Sequence, residues 1–124
     1  MAFTAGQCFL FPLGEYETAH LWVIATEPNQ DGQFAIVSFT SLKGSKDQTV
    51  VLRNGEHPFI KHDTCVSYSA ADITDSSVLA NLLSCGEARL HSNLTADLLR
   101  LVQDGFSASD FTKKRIVEFI KKHR

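Results

Sequence analysis

The chain has 124 residues, 44% of them hydrophobic, so it is long and apolar enough to fold around one core of its own. This composition excludes wholesale disorder, and a formal net charge of −2 excludes a strong overall attraction to nucleic acids or membranes. The charge is uneven, because residues 107–124 carry six basic and two acidic side chains. This basic segment is compatible either with phosphate binding or with an ordinary solvated helix face.

The three cysteines are typical of a reduced cytoplasmic protein. Cys8, Cys65 and Cys85 are odd in number and show no CxxC spacing, which argues against a disulfide framework and against a zinc knuckle. The N-terminal stretch MAFTAGQCFLFPLGEY lacks a charged region and a long apolar run, so we expect no secretion signal. The apolar segments are too short to span a membrane. We therefore expect a cytoplasmic location and no membrane partner.

The first half of the chain predicts strands. Five segments are rich in apolar and β-branched residues, and turn signals such as Asp31-Gly32 and Asn54-Gly55 separate them. Short strands at this spacing predict a small barrel or a curled antiparallel sheet. The predicted strands are residues 7–13, 20–26, 33–42, 49–53 and 64–69.

The second half changes to helical spacing. Residues 74–86 predict a helix that Thr74 or Asp75 caps, and residues 87–91 are long enough only for a short strand. Thr95 predicts the N-cap of a second helix, which we expect to end at Gly105. The predicted buried stripe of this second helix consists of Leu98, Leu101 and Val102.

A last amphipathic helix is predicted within residues 107–124. We expect it to begin at Ser109, so that Lys113, Lys114 and Arg115 belong to a solvated face. If it begins after Thr112 instead, these three cations oppose the helix dipole and form an anion-binding end. The side chains expected to point inward are Ile116, Phe119 and Ile120. The predicted fold is therefore α+β, with a curled antiparallel sheet followed by two or three C-terminal helices.

The stretches AGQCFLFPL, HLWVIAT and AIVSFTS, followed by CVSYSAADI and GEARLHSNLTADLLRLV, resemble the PemK/MazF type of toxin in hydrophobic pattern and element order. The resemblance covers roughly residues 5–104. That family has an SH3-like barrel, is usually dimeric and cuts single-stranded RNA without a metal. The resemblance implies an SH3-like barrel domain over residues 1–106 with an inserted helix, onto which the basic helix of residues 107–124 packs. It also implies a homodimer, single-stranded RNA as substrate, an antitoxin protein as partner and no cofactor.

The resemblance carries only two positions of the family's site onto this chain. The family places a catalytic Thr or Ser late in the third strand, where SFTSL offers Thr40 or Ser41. It places a catalytic Arg just before the second strand, usually beside a Pro, and here ETAHLW has His20 at that place. Arg53 lies too far along the chain to be an obvious substitute. The segment HPFIKHD is not part of the family pattern.

Cleavage of RNA needs a base for the 2′-hydroxyl proton, an acid for the leaving oxygen and a cation for the developing phosphorane charge. Histidine suits the roles of base and acid near neutral pH. His20, His57 and His62 are therefore candidate catalytic residues beside Thr40. The candidate RNA-binding residues are Lys43, Arg53 and Lys61, which would contact phosphates, and Phe59, which would stack on a base.

We expect HPFIKHD to form a structured loop between the fourth and fifth strands. Pro58 would fix a turn, and Phe59 and Ile60 would pin the loop to the barrel. The expected rim of one groove then consists of His57, Lys61 and His62, together with His20 and Thr40.

Two other interpretations of the same segment remain open. In the first, His57 and Pro58 form only a turn, Phe59 fills the core and His62 makes a backbone hydrogen bond. In the second, His57 and His62 bind a metal together with Asp63 or Glu56. Two side chains five positions apart on an extended strand point to opposite faces, so we expect no metal site.

A second function class also remains open. The chain would then be a non-catalytic interaction module that binds a protein partner through the barrel groove and the C-terminal helices. A concave surface on which Thr40, His20 and a cation converge favours catalysis, whereas a flat apolar patch favours protein binding.

Overall fold

A computed structural model describes residues 2–12 and 19–124 of the chain. In chain order the elements are β1 (Cys8–Phe11), β2 (His20–Ile24), β3 (Gln33–Ser41), β4 (Val51–Leu52), β5 (Thr64–Asp75), α1 (Ser76–Ser84), β6 (Arg89–His91), α2 (Ala96–Ala108) and α3 (Lys114–His123). The strands form one antiparallel sheet in the order β4-β5-β3-β2-β1-β6.

The predicted α+β class is confirmed, with a curled antiparallel sheet and helices towards the C-terminus. The sheet is a half-barrel in which the two longest strands, β3 and β5, lie next to each other. Their register shifts between Ile36 and Ser38, and a shift of this kind bends a strand and increases its twist. Leu13, the last residue of the first predicted strand, lies outside the described residues.

Most strands lie within a few residues of their predicted bounds, and β4 and β5 differ most. β5 continues to Asp75 instead of ending at residue 69, because the first residues of β3 pair with its second half, from Ile36 opposite Asp72 to Gln33 opposite Asp75. The polar sequence of that half hides it from a search for apolar alternation. β4 is shorter than predicted, with only Val51 and Leu52 in the ladder.

Apolar side chains cover both faces of the sheet within one chain. β1 divides its side chains between the faces: Cys8 and Leu10 join the buried cluster that includes residues of α2 and α3. Phe9 joins the opposite cluster, which includes Leu79 of α1 and Phe3 near the N-terminus. The near-continuous apolar sequence of the first strands is therefore explained by burial on both sides.

This covering bears on the expected homodimer. Besides the family resemblance, the apolar sequence of residues 20–42 favours a dimer only if one small barrel cannot bury it. Within the chain, Leu21, Val23 and Phe34 are fully buried, and Trp22 and Ile36 are partly buried. The dimer stays a prediction that rests on the family resemblance.

The second helix begins as predicted and ends later. Thr95 is its N-cap, since the Thr95 side chain accepts a hydrogen bond from the backbone N–H of Leu98 at 3.3 Å. Gly105 does not end it. A Cβ atom at Gly105 would lie 1.8 Å from the Tyr68 hydroxyl oxygen, so the glycine permits close packing of α2 on β5. The prediction that Leu101 is buried is wrong, because Leu101 is 52% exposed.

The last helix begins at Lys114, after the expected start at Ser109. Ser109 instead follows α2, and its hydroxyl donates to Asp47 Oδ2 at 2.8 Å. Ile116 and Ile120 are buried and Phe119 is partly buried, so the predicted inward face is confirmed. Three cations therefore do lie at the helix start. Arg115 pairs with Asp72 at 3.1 Å on the surface, where such pairs contribute little stability.

Candidate functional site

One groove, of about 530 Å³, collects most of the predicted site residues. It lies between the start of β2, the end of β3 and the segment that leads into β5. Its polar lining residues include His20, Thr40 and Ser41 from the strands and Lys61 and His62 from the segment before β5. Its apolar lining includes Ala19, Phe39, Phe59 and Ile60.

The sheet register brings His20 and Thr40 together. β2 and β3 are antiparallel, with Trp22 opposite Ser38. Two residues further along, the same register places His20 opposite Thr40, and directly opposed side chains share one face of a sheet. Thr40 is in turn opposite Cys65 of β5. The predicted pairing of these two residues at one groove is therefore found.

The hydrogen bond of His20 determines which ring nitrogen is free. Nδ1 lies 3.3 Å from the carbonyl oxygen of Phe39. A carbonyl only accepts hydrogen bonds, so Nδ1 carries the hydrogen and donates it. Nε2 of the neutral ring then keeps its lone pair. Because His20 is exposed at the groove, this nitrogen is available to accept a proton from a bound molecule.

Two consecutive turns shape the segment between β4 and β5. In the first, the N–H of Glu56 donates to the carbonyl of Arg53 at 3.1 Å, and Gly55 has a φ of +92°, which glycine adopts without strain. In the second, the N–H of Ile60 donates to the carbonyl of His57 at 2.9 Å. Pro58 is the second residue of that turn, the position where its fixed φ is favoured. HPFIKHD therefore is a structured loop with its bend at Pro58.

The residues that pin the loop differ from those predicted. Ile60 is 2% exposed and belongs to the main core cluster, as expected. Phe59 is 37% exposed and lines the groove, whereas His57 is 2% exposed. His57 therefore supplies the second anchor, and the interpretation in which Phe59 fills the core is wrong.

His57 does not reach the groove, so the predicted role for its ring at the rim is wrong. Its Nδ1 accepts a hydrogen bond from the N–H of Phe59 at 3.0 Å. Its Nε2 donates to the carbonyl of Ser92 at 2.5 Å. Both ring nitrogens are used and the ring is buried, so it is not placed to exchange protons with a ligand.

Lys61 and His62 lie where the loop prediction put them. Both are exposed and line the groove. The backbone hydrogen bond of His62 is made by its own carbonyl, which accepts from the Thr64 hydroxyl at 2.9 Å. This hydrogen bond uses the backbone of His62 and not its imidazole.

The remaining predicted cations lie beside the groove. Lys43 lines a shallower depression that shares Ser41 and His62 with it, so the two form one continuous track. Arg53 is not among the lining residues, and its guanidinium pairs with Asp63 at 2.7 Å. Within residues 2–12 and 19–124, no three His, Cys, Asp or Glu side chains cluster as metal ligands would. The expectation that no metal is needed stays a prediction.

Sequence reasoning missed His91. Its ring centroid lies 5.2 Å from that of His57 and 5.7 Å from that of Phe59, edge-on to the latter. His91 belongs to β6, which pairs with β1, so the contact depends on sheet topology. No local pattern links it to His57.

Comparisons with protein-family models, with curated proteins and with solved structures found no match to this chain. Across the described part of the chain, none of the helices has the length and apolar character needed to cross a membrane.

Proposed function

We propose that the chain is an RNA-directed protein of the PemK/MazF type, which binds single-stranded RNA in the groove and cleaves it without a metal. The observation that supports this proposal is the convergence of His20, Thr40, Lys61 and His62 on one concave surface. These groups match the needs of RNA cleavage: proton acceptor, proton donor and cation.

The reaction assigns each proton to a named group. Nε2 of His20 takes the proton of the 2′-hydroxyl while the 2′-oxygen forms a bond to phosphorus. The bond from phosphorus to the 5′-oxygen breaks, and protonated His62 gives that oxygen a proton. The products are a 2′,3′-cyclic phosphate and a 5′-hydroxyl end. Lys61 offsets the charge on the phosphorane, and the Thr40 hydroxyl donates to a phosphate oxygen.

The surroundings of these groups suit a flexible single strand. Phe59 exposes part of its ring at the groove and offers a base a stacking surface. Lys43 extends the track beyond His62, where a neighbouring phosphate would lie. A cytoplasmic location, a homodimer and an antitoxin protein as partner belong to the same proposal. The buried thiols of Cys8 and Cys65 are compatible with a reducing compartment.

The test is cleavage of a mixed-sequence single-stranded RNA, with and without EDTA. Wild type should cut in both conditions, and His20→Ala and His62→Ala should each lose most of the activity. His123→Ala is the matched control, because His123 lies on α3 and packs against Phe119 away from the groove. Loss of wild-type cleavage with EDTA would contradict the metal-independent mechanism. Absence of cleavage under every condition would contradict the proposed enzyme.

One observation favours the second candidate function, a non-catalytic interaction module. The groove floor is largely apolar, with Phe39, Ile60 and Ala19 beside the exposed edge of Phe59. An apolar side chain of a protein partner would fit such a floor. If RNA neither binds nor is cut, and Phe59→Ala removes capture of a co-expressed partner, this function replaces the first.

A further inference from the structure

Two buried or half-buried histidines join the loop at the groove to a distant part of the chain. His57 lies in the turn before the groove-lining residues Phe59 and Ile60, and His91 is the last residue of β6. The imidazole rings contact each other, and His57 also bonds to Ser92. This histidine contact joins the loop to β6 and to Ser92, while Ile60 joins it to the core.

The hydrogen bonds assign the same neutral form to both rings. Nδ1 of His57 accepts from the N–H of Phe59 at 3.0 Å, and Nδ1 of His91 accepts from the N–H of Ser92 at 2.8 Å. A ring nitrogen that accepts carries no hydrogen. The carbonyl of Ser92 needs a donor, which Nε2 of His57 supplies. The Ser92 carbonyl thus accepts a hydrogen bond from His57, and the Ser92 N–H donates one to His91.

We propose that His57 is a positioning residue of the groove, and that the pair of His57 and His91 is a clamp that holds Phe59, Lys61 and His62 in place and opens in weak acid. The part that concerns RNA rests on the proposed function. The clamp itself does not rest on that function, because it depends only on the hydrogen bonds of the two histidines.

Acid opens the clamp because protonation removes an acceptor. A proton on Nδ1 of either ring would face a backbone N–H, and two donors cannot share a hydrogen bond. Two positive rings with centroids 5.2 Å apart would also repel each other. Loss of the hydrogen bond from the Phe59 N–H to His57 would then loosen the turn on the groove side.

The groups around His91 favour its neutral form. Burial lowers the pKa of His91, and the neighbouring His57 and Arg89 lower it further. Cys8 lies opposite His91 on β1, and burial raises the pKa of its thiol to about 12, so it brings no negative charge. Glu56 precedes His57, but one of its carboxylate oxygens accepts from the N–H of Arg53. The neutral form of His91 is thus favoured, and acid is the condition that charges this ring.

The first test needs no variant and no RNA. In a long-range proton–nitrogen NMR spectrum at about pH 7.5, both His57 and His91 should show the Nε2–H tautomer. On acidification to about pH 5.5, the protection factors of the Phe59 and Ile60 amides, which correct for the slower intrinsic exchange at lower pH, should fall at least about tenfold, while those of the β3 amides stay high. An Nδ1–H tautomer at His57, or protection of Ile60 that does not change with pH, would overturn the clamp.

The second test uses variants and a fluorescent oligouridylate, 2′-deoxy throughout so that it cannot be cut. His57→Asn keeps an acceptor near the position of Nδ1, and His57→Leu keeps only bulk. At about pH 7.5 His57→Asn should bind within about threefold of wild type, and His57→Leu should bind at least about tenfold more weakly. Equal binding by both variants would overturn the positioning role. His123→Gln is the control for loss of a distant imidazole.

The two proposals fail separately. If wild type binds no oligouridylate while the Phe59 and Ile60 amides respond to acid as stated, the RNA function is wrong and the clamp stands. If wild type binds the oligouridylate but the amides do not respond, the clamp is wrong and the RNA function stands. His91→Asn, which keeps an acceptor for Ser92 without a titrating ring, should reduce the acid response of Ile60, and an unchanged response would also overturn the clamp.

Discussion

His57 and His62 lie in one seven-residue segment, yet their surroundings are opposite. His57 is 2% exposed and uses both ring nitrogens in backbone hydrogen bonds. His62 is exposed and lines the groove with His20 and Lys61. The same side chain is thus buried and hydrogen-bonded at one position and exposed at the groove at the other. Burial and hydrogen-bond partners assign the role, and residue type does not.

The difference arises from the turn between them. Pro58 bends the chain directly after His57, so the ring before the bend faces the body of the protein and the residues after it follow the groove. Ile60 then anchors the far side of the turn in the core. The segment therefore has a buried part and a groove-facing part, which variants can separate.

The largest expected effect concerns catalysis on the groove side. His20→Ala should lower the rate of RNA cleavage by about 10²–10⁴-fold, since it removes a positioned general base. Its free energy of unfolding should stay close to that of wild type, because the ring is exposed. Single-turnover cleavage and urea unfolding on the same preparation check both parts. A variant that is unstable as well as inactive would give His20 a structural role instead.

The next effect concerns stability on the buried side. His57→Ala should lower the free energy of unfolding by about 2–4 kcal/mol, because it leaves a cavity and deprives the Ser92 carbonyl and the Phe59 N–H of their partners. His62→Ala is the matched control and should change it by less than about 0.5 kcal/mol. Urea unfolding measures both. Equal losses in the two variants would remove the distinction between the two histidines.

A smaller effect is expected from pH. The pKa of His91 is lowered in the fold, so just below the ordinary histidine pKa of about 6.5 the unfolded chain binds more protons than the folded one. Stability is then full above that pH and falls as the pH decreases towards the lowered value. The melting temperature should decrease on acidification, and less so in His91→Asn. An equal decrease in His91→Asn would assign the effect to other groups.

The smallest effect concerns phosphate contacts. Lys61→Ala should weaken binding of an uncleavable oligouridylate and reduce the slope of log affinity against log salt by about 0.7, as loss of one contact with a single strand does. Lys122→Ala, on α3, is the control and should keep the wild-type slope. Titrations at several salt concentrations measure it. Identical slopes in the wild type and Lys61→Ala would remove Lys61 from the RNA contacts.

The sequence predicts the elements and part of the groove. Alternating strands, the Thr95 cap and the Pro58 turn depend on local chemistry, so they can be read from neighbouring residues. The burial of His57 could not be predicted, because its partner Ser92 lies 35 residues away and is brought close only by the sheet. Gly105 has the same explanation: it is required by Tyr68 of a distant strand, and local rules suggest a helix end there.

The central claim is that the groove binds single-stranded RNA through its polar lining, and the most direct measurement maps that contact. Backbone amide NMR shifts are recorded while a 2′-deoxy oligouridylate is added to the wild-type protein. The largest shifts are expected at Thr40, Phe59, Lys61 and His62, with His20 affected and the Lys122 region of α3 unchanged. Shifts confined to the basic residues of α3, or no shifts at any concentration, would contradict it.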